Sequence, residues 1–155
     1  MFDIISFSFN SSLSTNSLGF SKIYLFEDIK KKILIANNLE DAAQSKNKKS
    51  LIILKDYSYD EGAMKIIAEK KNLCFLIDIG QMISSSGMRR AVLIAKLRNF
   101  LKLANKQGAF YAFASFAKKE NEIRSAQELI HIGMLLGINE GQAKFAFRMI
   151  GEYVQ

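Results

Sequence analysis

The sequence predicts an α/β fold: a reduced or partly open TIM-barrel-like arrangement of about six mostly parallel strands with outer helices. Three observations carry this expectation. Short apolar runs alternate with helical stretches along the chain. The runs lack hydrophobic-polar alternation, as strands buried on both faces do. The chain, at 155 residues, is too short for a closed eight-unit barrel, which takes on the order of 200 residues or more. A hydrophobic content of 49% suffices for one core, and no linker or internal repeat divides the chain, so residues 1–155 are read as a single domain. A compact doubly wound sheet is the competing arrangement.

In chain order, Asp3 to Phe9 and Lys22 to Phe26 read as strands, separated by the loop NSSLSTNSLG, which is too short and polar to hold a packed helix. Ile33 to Ala36 reads as a third strand. Asn38 precedes a short helix over Leu39 to Lys46, and a basic loop, Lys46 to Lys49, leads to a fourth strand, Leu51 to Leu54. Asp60 can cap a helix over Glu61 to Lys71, since its carboxylate accepts from free first-turn N–H groups. Leu73 to Ile79 is the fifth strand, Gly87 to Gln107 a long helix, and Ala109 to Ser115 the sixth strand. In the long helix Leu93, Ile94, Leu97, Phe100, Leu101 and Ala104 make one stripe at helical spacing, with Arg98, Lys102 and Asn105 opposite. Ser125-Ala126-Gln127-Glu128 has capping-box spacing and opens the first of two final helices.

Charge narrows the partners. With 22 Lys and Arg against 15 Asp and Glu, the net charge of +7 favours a polyanion. The apolar runs are short and broken by Ser, Gly or Lys, so no membrane partner is expected. Met-Phe-Asp at the N-terminus lacks an export signal, and the single cysteine, Cys74, lies inside an apolar strand as a small buried thiol would. Both suit a cytoplasmic protein.

The cations gather where strands hand over to helices, the face that carries function in parallel α/β folds. Arg89 and Arg90 follow the turn after the fifth strand, with Ser84 to Ser86 before them to cap the long helix and offer backbone N–H groups to a phosphate. Arg90 shares the angle of Leu97 and Leu101 yet sits in the first turn, which predicts that it lies over the mouth of the sheet; the plain alternative is a solvated turn with Arg90 paired to Asp78. Lys118, Lys119 and Arg124 follow the sixth strand, with Arg124 directly before the cap Ser125. The candidate phosphate-contacting set is therefore Ser86, Arg89, Arg90, Lys118, Lys119, Arg124 and Ser125. In the last helices Met134, Leu135, Phe145 and Met149 fall off the expected core stripe. They either form a protein interface or fill a missing wall.

The runs SSSGMRRAVLIAKLRNFLKLANKQGAFYAFASFA and IRSAQELIHIGMLLGINEGQAKFAF resemble the TIM-barrel-like protein subunit of archaeal and eukaryotic ribonuclease P, component 3 of the archaeal enzyme, here in shortened form. The family pattern is a strand ending in an acidic residue, a Ser-Gly turn before paired basic residues, a long helix, a strand ending in Ser-Gly-Ala, then Arg-Ser-Pro-Arg-Asp-Leu and a Leu-Leu-Gly-Met helix end. The matching positions are Asp78, Ser86 and Gly87, Arg89 and Arg90, Ser115 with Ala117, Arg124 and Ser125 with Leu129, and Leu135 to Ile138. The chain departs at Phe116, where the family has Gly, and at Ala126 and Gln127, which replace Pro and a basic residue. LGFSKIYLF and SLIILKD match the family's second and fourth strands in order alone.

The resemblance implies a noncatalytic subunit of an endoribonuclease complex. There the RNA, with magnesium, removes the leader from precursor tRNA. The protein works with a ferredoxin-like subunit, as paired heterodimers, to support the RNA, and binds no cofactor itself. The residues agree: the only histidine, His131, is expected to face outward, and Asp3 and Asp78 without a histidine are a poor metal site. Two other classes fit less of the sequence: a generic structured-RNA-binding module, and a small metal-dependent barrel phosphohydrolase.

Overall fold

The computed structural model describes residues 1–7, 15–45 and 49–154. Among them six strands form, and every pairing is parallel. β1 (Phe2–Ile5) pairs with β2 (Lys22–Leu25), while β3 (Ile33–Ala36), β4 (Ser50–Leu54), β5 (Leu73–Asp78) and β6 (Phe110–Ala114) make a second sheet in that order. The helices are α1 (Phe26–Ile29), α2 (Leu39–Gln44), α3 (Glu61–Lys70), α4 (Gly80–Ser84), α5 (Gly87–Gln107), α6 (Ala126–Met134) and α7 (Glu140–Val154). Short 3-10 turns occupy Lys30–Lys32 and Glu120–Glu122. The expected strand end at Phe9, the helix end at Lys46 and most of the Lys46 to Lys49 loop lie outside the described residues, as does the middle of the Ser/Asn-rich loop.

The two sheets meet beyond the end of β6. Phe116 N–H donates to the Ile4 carbonyl at 2.9 Å and Ser6 N–H to the Ala117 carbonyl at 2.8 Å. The Asp3 carboxylate, 3% exposed, accepts from Ser115 N–H at 2.8 Å and from the Ser115 hydroxyl at 2.6 Å. Asp3 thus sits early in β1 and is a structural tie between the sheets. The order around the molecule is β3, β4, β5, β6, β1, β2, and among the described residues no pairing joins β2 to β3. This is a partial TIM-barrel-like fold, open at that point. Ile35, on the inner face of β3, is left 64% exposed by the opening.

Strand alternation sorts the core into two sides. Ile52, Leu54, Phe75, Ile77, Tyr111 and Phe113 pack outward against α2, α3, α5, α6 and the first half of α7. Leu51, Cys74, Leu76, Ala112 and Ala114 face inward, where they meet Ile4, Tyr24 and the second half of α7. Burial pushes the Cys74 thiol well above its ordinary range, so it stays protonated.

The second half of α7 bears on one expectation. Met149 is buried, at 6% exposure, with Ile150, Tyr153 and Val154 in the inner cluster. Its burial in the inner cluster fits the alternative that it fills a wall that a shortened barrel lacks. The end of α7 closes the side where the strands begin: the Lys32 ammonium donates to the Val154 carbonyl, the Lys49 ammonium sits 4.9 Å from the centre of the Tyr153 ring, and the Tyr153 hydroxyl donates to the Lys71 carbonyl at 3.4 Å. Met134, Leu135 and Phe145 are exposed as expected. Arg98 Nε donates to the Leu135 carbonyl at 2.8 Å, so α5 braces the end of α6.

Candidate nucleic-acid interface

The ends of β5 and β6 are locked side by side. Ile79 N–H donates to the Ala114 carbonyl at 3.0 Å, which brings Gly80 so close to β6 that a Cβ there would stand 1.9 Å from the Ser115 carbonyl oxygen. Only glycine fits this approach. It lets α4 start directly over the end of β6. Between α4 and the loop after β6 opens a cleft of about 360 Å³, walled by Asp78, Gln81, Ile83 and Ser84 on one side and by Ser115, Lys118, Glu122 and Arg124 on the other.

The serines expected to cap α5 serve α4 instead. The Ser84 hydroxyl donates to the Gly80 carbonyl at 3.2 Å and the Ser85 hydroxyl to the Gln81 carbonyl, while Ser86 holds the N-cap position of α5 with no side-chain cap bond. Arg90 does not lie over the sheet and does not pair with Asp78. Its Nε donates to the Ser85 carbonyl at 2.6 Å and its Nη2 to the Ile83 carbonyl at 3.3 Å, so the guanidinium wraps the C-terminal end of α4, where the helix dipole favours a cation. Arg90 is thereby fixed on the outer side of the cleft wall that Ile83 lines. Arg89 and Ser86 are exposed beside it, outside the cleft.

Across the cleft, Arg124 is half-buried and held by its own loop. Its Nη1 donates to the carbonyls of Asn121 and Ile123, both at 2.9 Å, through one nitrogen of a group with five N–H donors. Ser125 completes the expected capping box with Glu128, accepting from Glu128 N–H at 3.3 Å and donating to its carboxylate at 2.9 Å. The Ser125 hydroxyl is therefore engaged within α6 by Glu128. Lys118 lines the cleft and Lys119 is exposed beyond it. The fold thus brings Lys118 and Arg124 onto one wall and ties Arg90 behind the other, through the Ile83 carbonyl, at the same end of the molecule.

Carboxylates share this rim, a feature that counting cations misses. Glu122 accepts from Lys118 N–H at 2.8 Å, and Asp78 accepts from Gln81 N–H at 3.3 Å. Burial pushes the Asp78 carboxyl up to about 6, against the pull of its bonds to Gln81 and Gly80 and of the Lys118 ammonium. Asp3 is likewise raised to about 6, by burial first and in small part by the charge of Asp78, against its bonds from Ser115 and Ile4. A carboxyl raised on folding binds its proton more tightly in the native state, so its contribution to stability is full below the ordinary value of 3.8 and is lost as pH rises through about 6. Glu61, Glu128 and Glu140 are held below their ordinary 4.5 and titrate under that window. The melting temperature is expected to fall between pH 5 and pH 7, and Asp78→Asn to flatten that fall. An equal fall in wild type and variant would refute the assignment.

Phe116 is the position where the family resemblance has glycine. Its backbone is left-handed, with φ of 46°, a conformation that glycine adopts freely and a bulky residue does not. The ring stacks edge-on against Phe26, centroids 5.8 Å apart, which offsets the strain. His131 is exposed, its ring 3.1 Å from the Gln127 amide. Among the described residues no three of His, Cys, Asp and Glu gather into a metal donor set. No helix of the described residues is long and apolar enough to cross a membrane.

The sequence matches no protein-family model and no curated protein. Among solved structures, the fold aligns over 99% of this chain with 90% of a chain in the cryo-EM structure of archaeal ribonuclease P with mature tRNA, at a TM-score of 0.71 and 13% sequence identity. The likeness is one of fold. It extends through β1 and β2, the half of the chain whose sequence resembles the family least.

Proposed function

We propose that this chain is a noncatalytic protein subunit of ribonuclease P. It supports the RNA that removes the leader from precursor tRNA, and the complex as a whole is the endoribonuclease. The observation that carries this reading is the near full-length alignment with a chain of the archaeal complex. The Arg124 guanidinium in the cleft and the Arg90 guanidinium behind its α4 wall, each held by backbone carbonyls, are the chemistry it needs: fixed forks that meet backbone phosphates with little ordering entropy left to lose. Exposed Arg89 adds a third phosphate contact beside Arg90, and Lys118 and Lys119 add long-range attraction. Met134 and Leu135, exposed together at the end of α6, take the ferredoxin-like subunit, in paired heterodimers. Magnesium belongs to the RNA, and the complex works in the cytoplasm.

Copurification tests the reading. A tagged chain brings down one ribonuclease P RNA and a small ferredoxin-like protein. A heterogeneous RNA population without that protein would make the chain a generic RNA-binding module instead.

A further inference from the structure

The opposite end of the molecule, where the strands begin, carries cations that the cleft does not use. Lys49 precedes β4, and Lys71 ends α3 just before β5. Arg148 projects from α7 on the same helical side as Phe145 and Glu152. All of them line one cavity of about 480 Å³, floored by Phe110, Met149 and Tyr153. Three cations stand there against one carboxylate. Arg148 has no hydrogen bond or ion pair among the described residues.

Two features mark this as more than a solvated face. Phe145 is 53% exposed and forms the ridge between this cavity and a second one of about 450 Å³, whose wall holds the side-chain amides of Asn105, Asn139 and Gln142. A flat ring thus has cations on one side and amide donors on the other. Lys71, in turn, has φ of 52° at a helix end where glycine is the natural occupant. Lys71 lines the cavity from a backbone conformation that disfavours a lysine.

We propose that this end of the chain is a second nucleic-acid site, which takes a single-stranded segment with an unstacked base on Phe145 and its phosphates on Lys49, Lys71 and Arg148. An anion with aromatic faces matches the juxtaposition of ring and cations. A duplex does not, because its bases are already stacked. Asn105, Asn139 and Gln142, which line the cavity across the ring, offer side-chain amides to the edge of the stacked base. The site goes beyond the cleft between α4 and the loop after β6, and it stands whether or not that cleft binds RNA.

Fluorescence anisotropy with a labelled, unstructured RNA of about ten nucleotides, a length within known site sizes, tests it on the whole chain. Phe145→Ala is expected to weaken binding by about tenfold. Arg148→Ala and Lys71→Gly should each reduce the salt slope by about 0.7. Lys71→Gly removes the cation and relieves the backbone, so it loses affinity with a melting temperature no lower than wild type. In the background of the Arg89, Arg90 and Arg124 variant, Phe145→Ala should still weaken binding by the same factor, which separates the site from the cleft. Failure of the wild-type chain to bind the oligonucleotide, unchanged affinity in Phe145→Ala and Lys71→Gly, or self-association of the free chain abolished by Phe145→Ala would each overturn the proposal, the last by assigning the face to a second copy.

Discussion

Charge reversal at Arg89, Arg90 and Arg124 together is expected to weaken association with ribonuclease P RNA by about a hundredfold at physiological salt. The size follows from counterion release: each phosphate contact contributes about 0.9 to the slope of log affinity against log salt, and three contacts at 0.15 M ionic strength amount to about two decades. The slope itself should fall by about three. Arg124 should carry the largest single share, because it is half-buried and its orientation is set by the Asn121 and Ile123 carbonyls. Arg89, with no such anchor on the cleft, should carry the smallest. None of the three guanidinium groups is in the core, so the thermal unfolding of the triple variant should stay within about 1 kcal/mol of wild type. Filter binding across a salt series measures both quantities. An unchanged slope would show that these side chains do not face the RNA.

Gly80→Ala should give the largest loss of stability from a single added carbon. The obstacle is the Ser115 carbonyl, 1.9 Å from the new Cβ, and it is backbone on both sides: Ile79 N–H is bonded to Ala114 next to it, and Ser115 is tied to Asp3. Neither partner can turn away as a side-chain tip would. A loss of about 3 kcal/mol or more follows. Displacing α4 also moves the Ile83 and Ser85 carbonyls that hold Arg90, so RNA affinity should fall with stability even at temperatures where the variant is folded. Two other glycines calibrate the effect. Gly62, in α3 with 3.5 Å of room, should accept alanine with a gain of up to about 1 kcal/mol. Gly87 has open space but φ of 54°, and alanine there should cost about 1 kcal/mol. Urea midpoints of the three variants check the ranking, and a Gly80→Ala midpoint equal to wild type would contradict the close approach.

The features legible in the sequence are those set by near neighbours. The bounds of α5, the Asp60 cap of α3 and the Ser125–Glu128 capping box each depend on residues within a turn or two, and the structure has them as read. The strands are legible because continuous apolar runs have few other fates in a chain of this composition. α1 and α4 are too short to show a helical period in the sequence. The opening between β2 and β3 depends on which strands find partners across the chain, and nothing local encodes it. Met149 shows the same limit: a helix buried on one side predicts it outward, but the end of α7 is enclosed on both sides because it fills a wall.

At the cleft the sequence locates the cations and misses what orients them. Ser84 and Ser85 turn back to α4, Arg90 follows them onto the carbonyls of that helix, and Glu122 enters the loop as a counter-charge. Asp78-Ile79-Gly80, a glycine directly after a strand end, was the available signal for the close approach of β5 and β6. Phe116 is a partial case: the resemblance marks it as a glycine position, and only the backbone angle gives the reason.

Cleavage of precursor tRNA by the reconstituted complex tests the central claim most directly. The RNA, its ferredoxin-like partner and magnesium are assembled with and without this chain, and the first turnover is timed. Faster leader removal with the wild-type chain, and no acceleration with the Arg89, Arg90 and Arg124 charge-reversal variant, is the predicted result. Equal rates with and without the wild-type chain would contradict it.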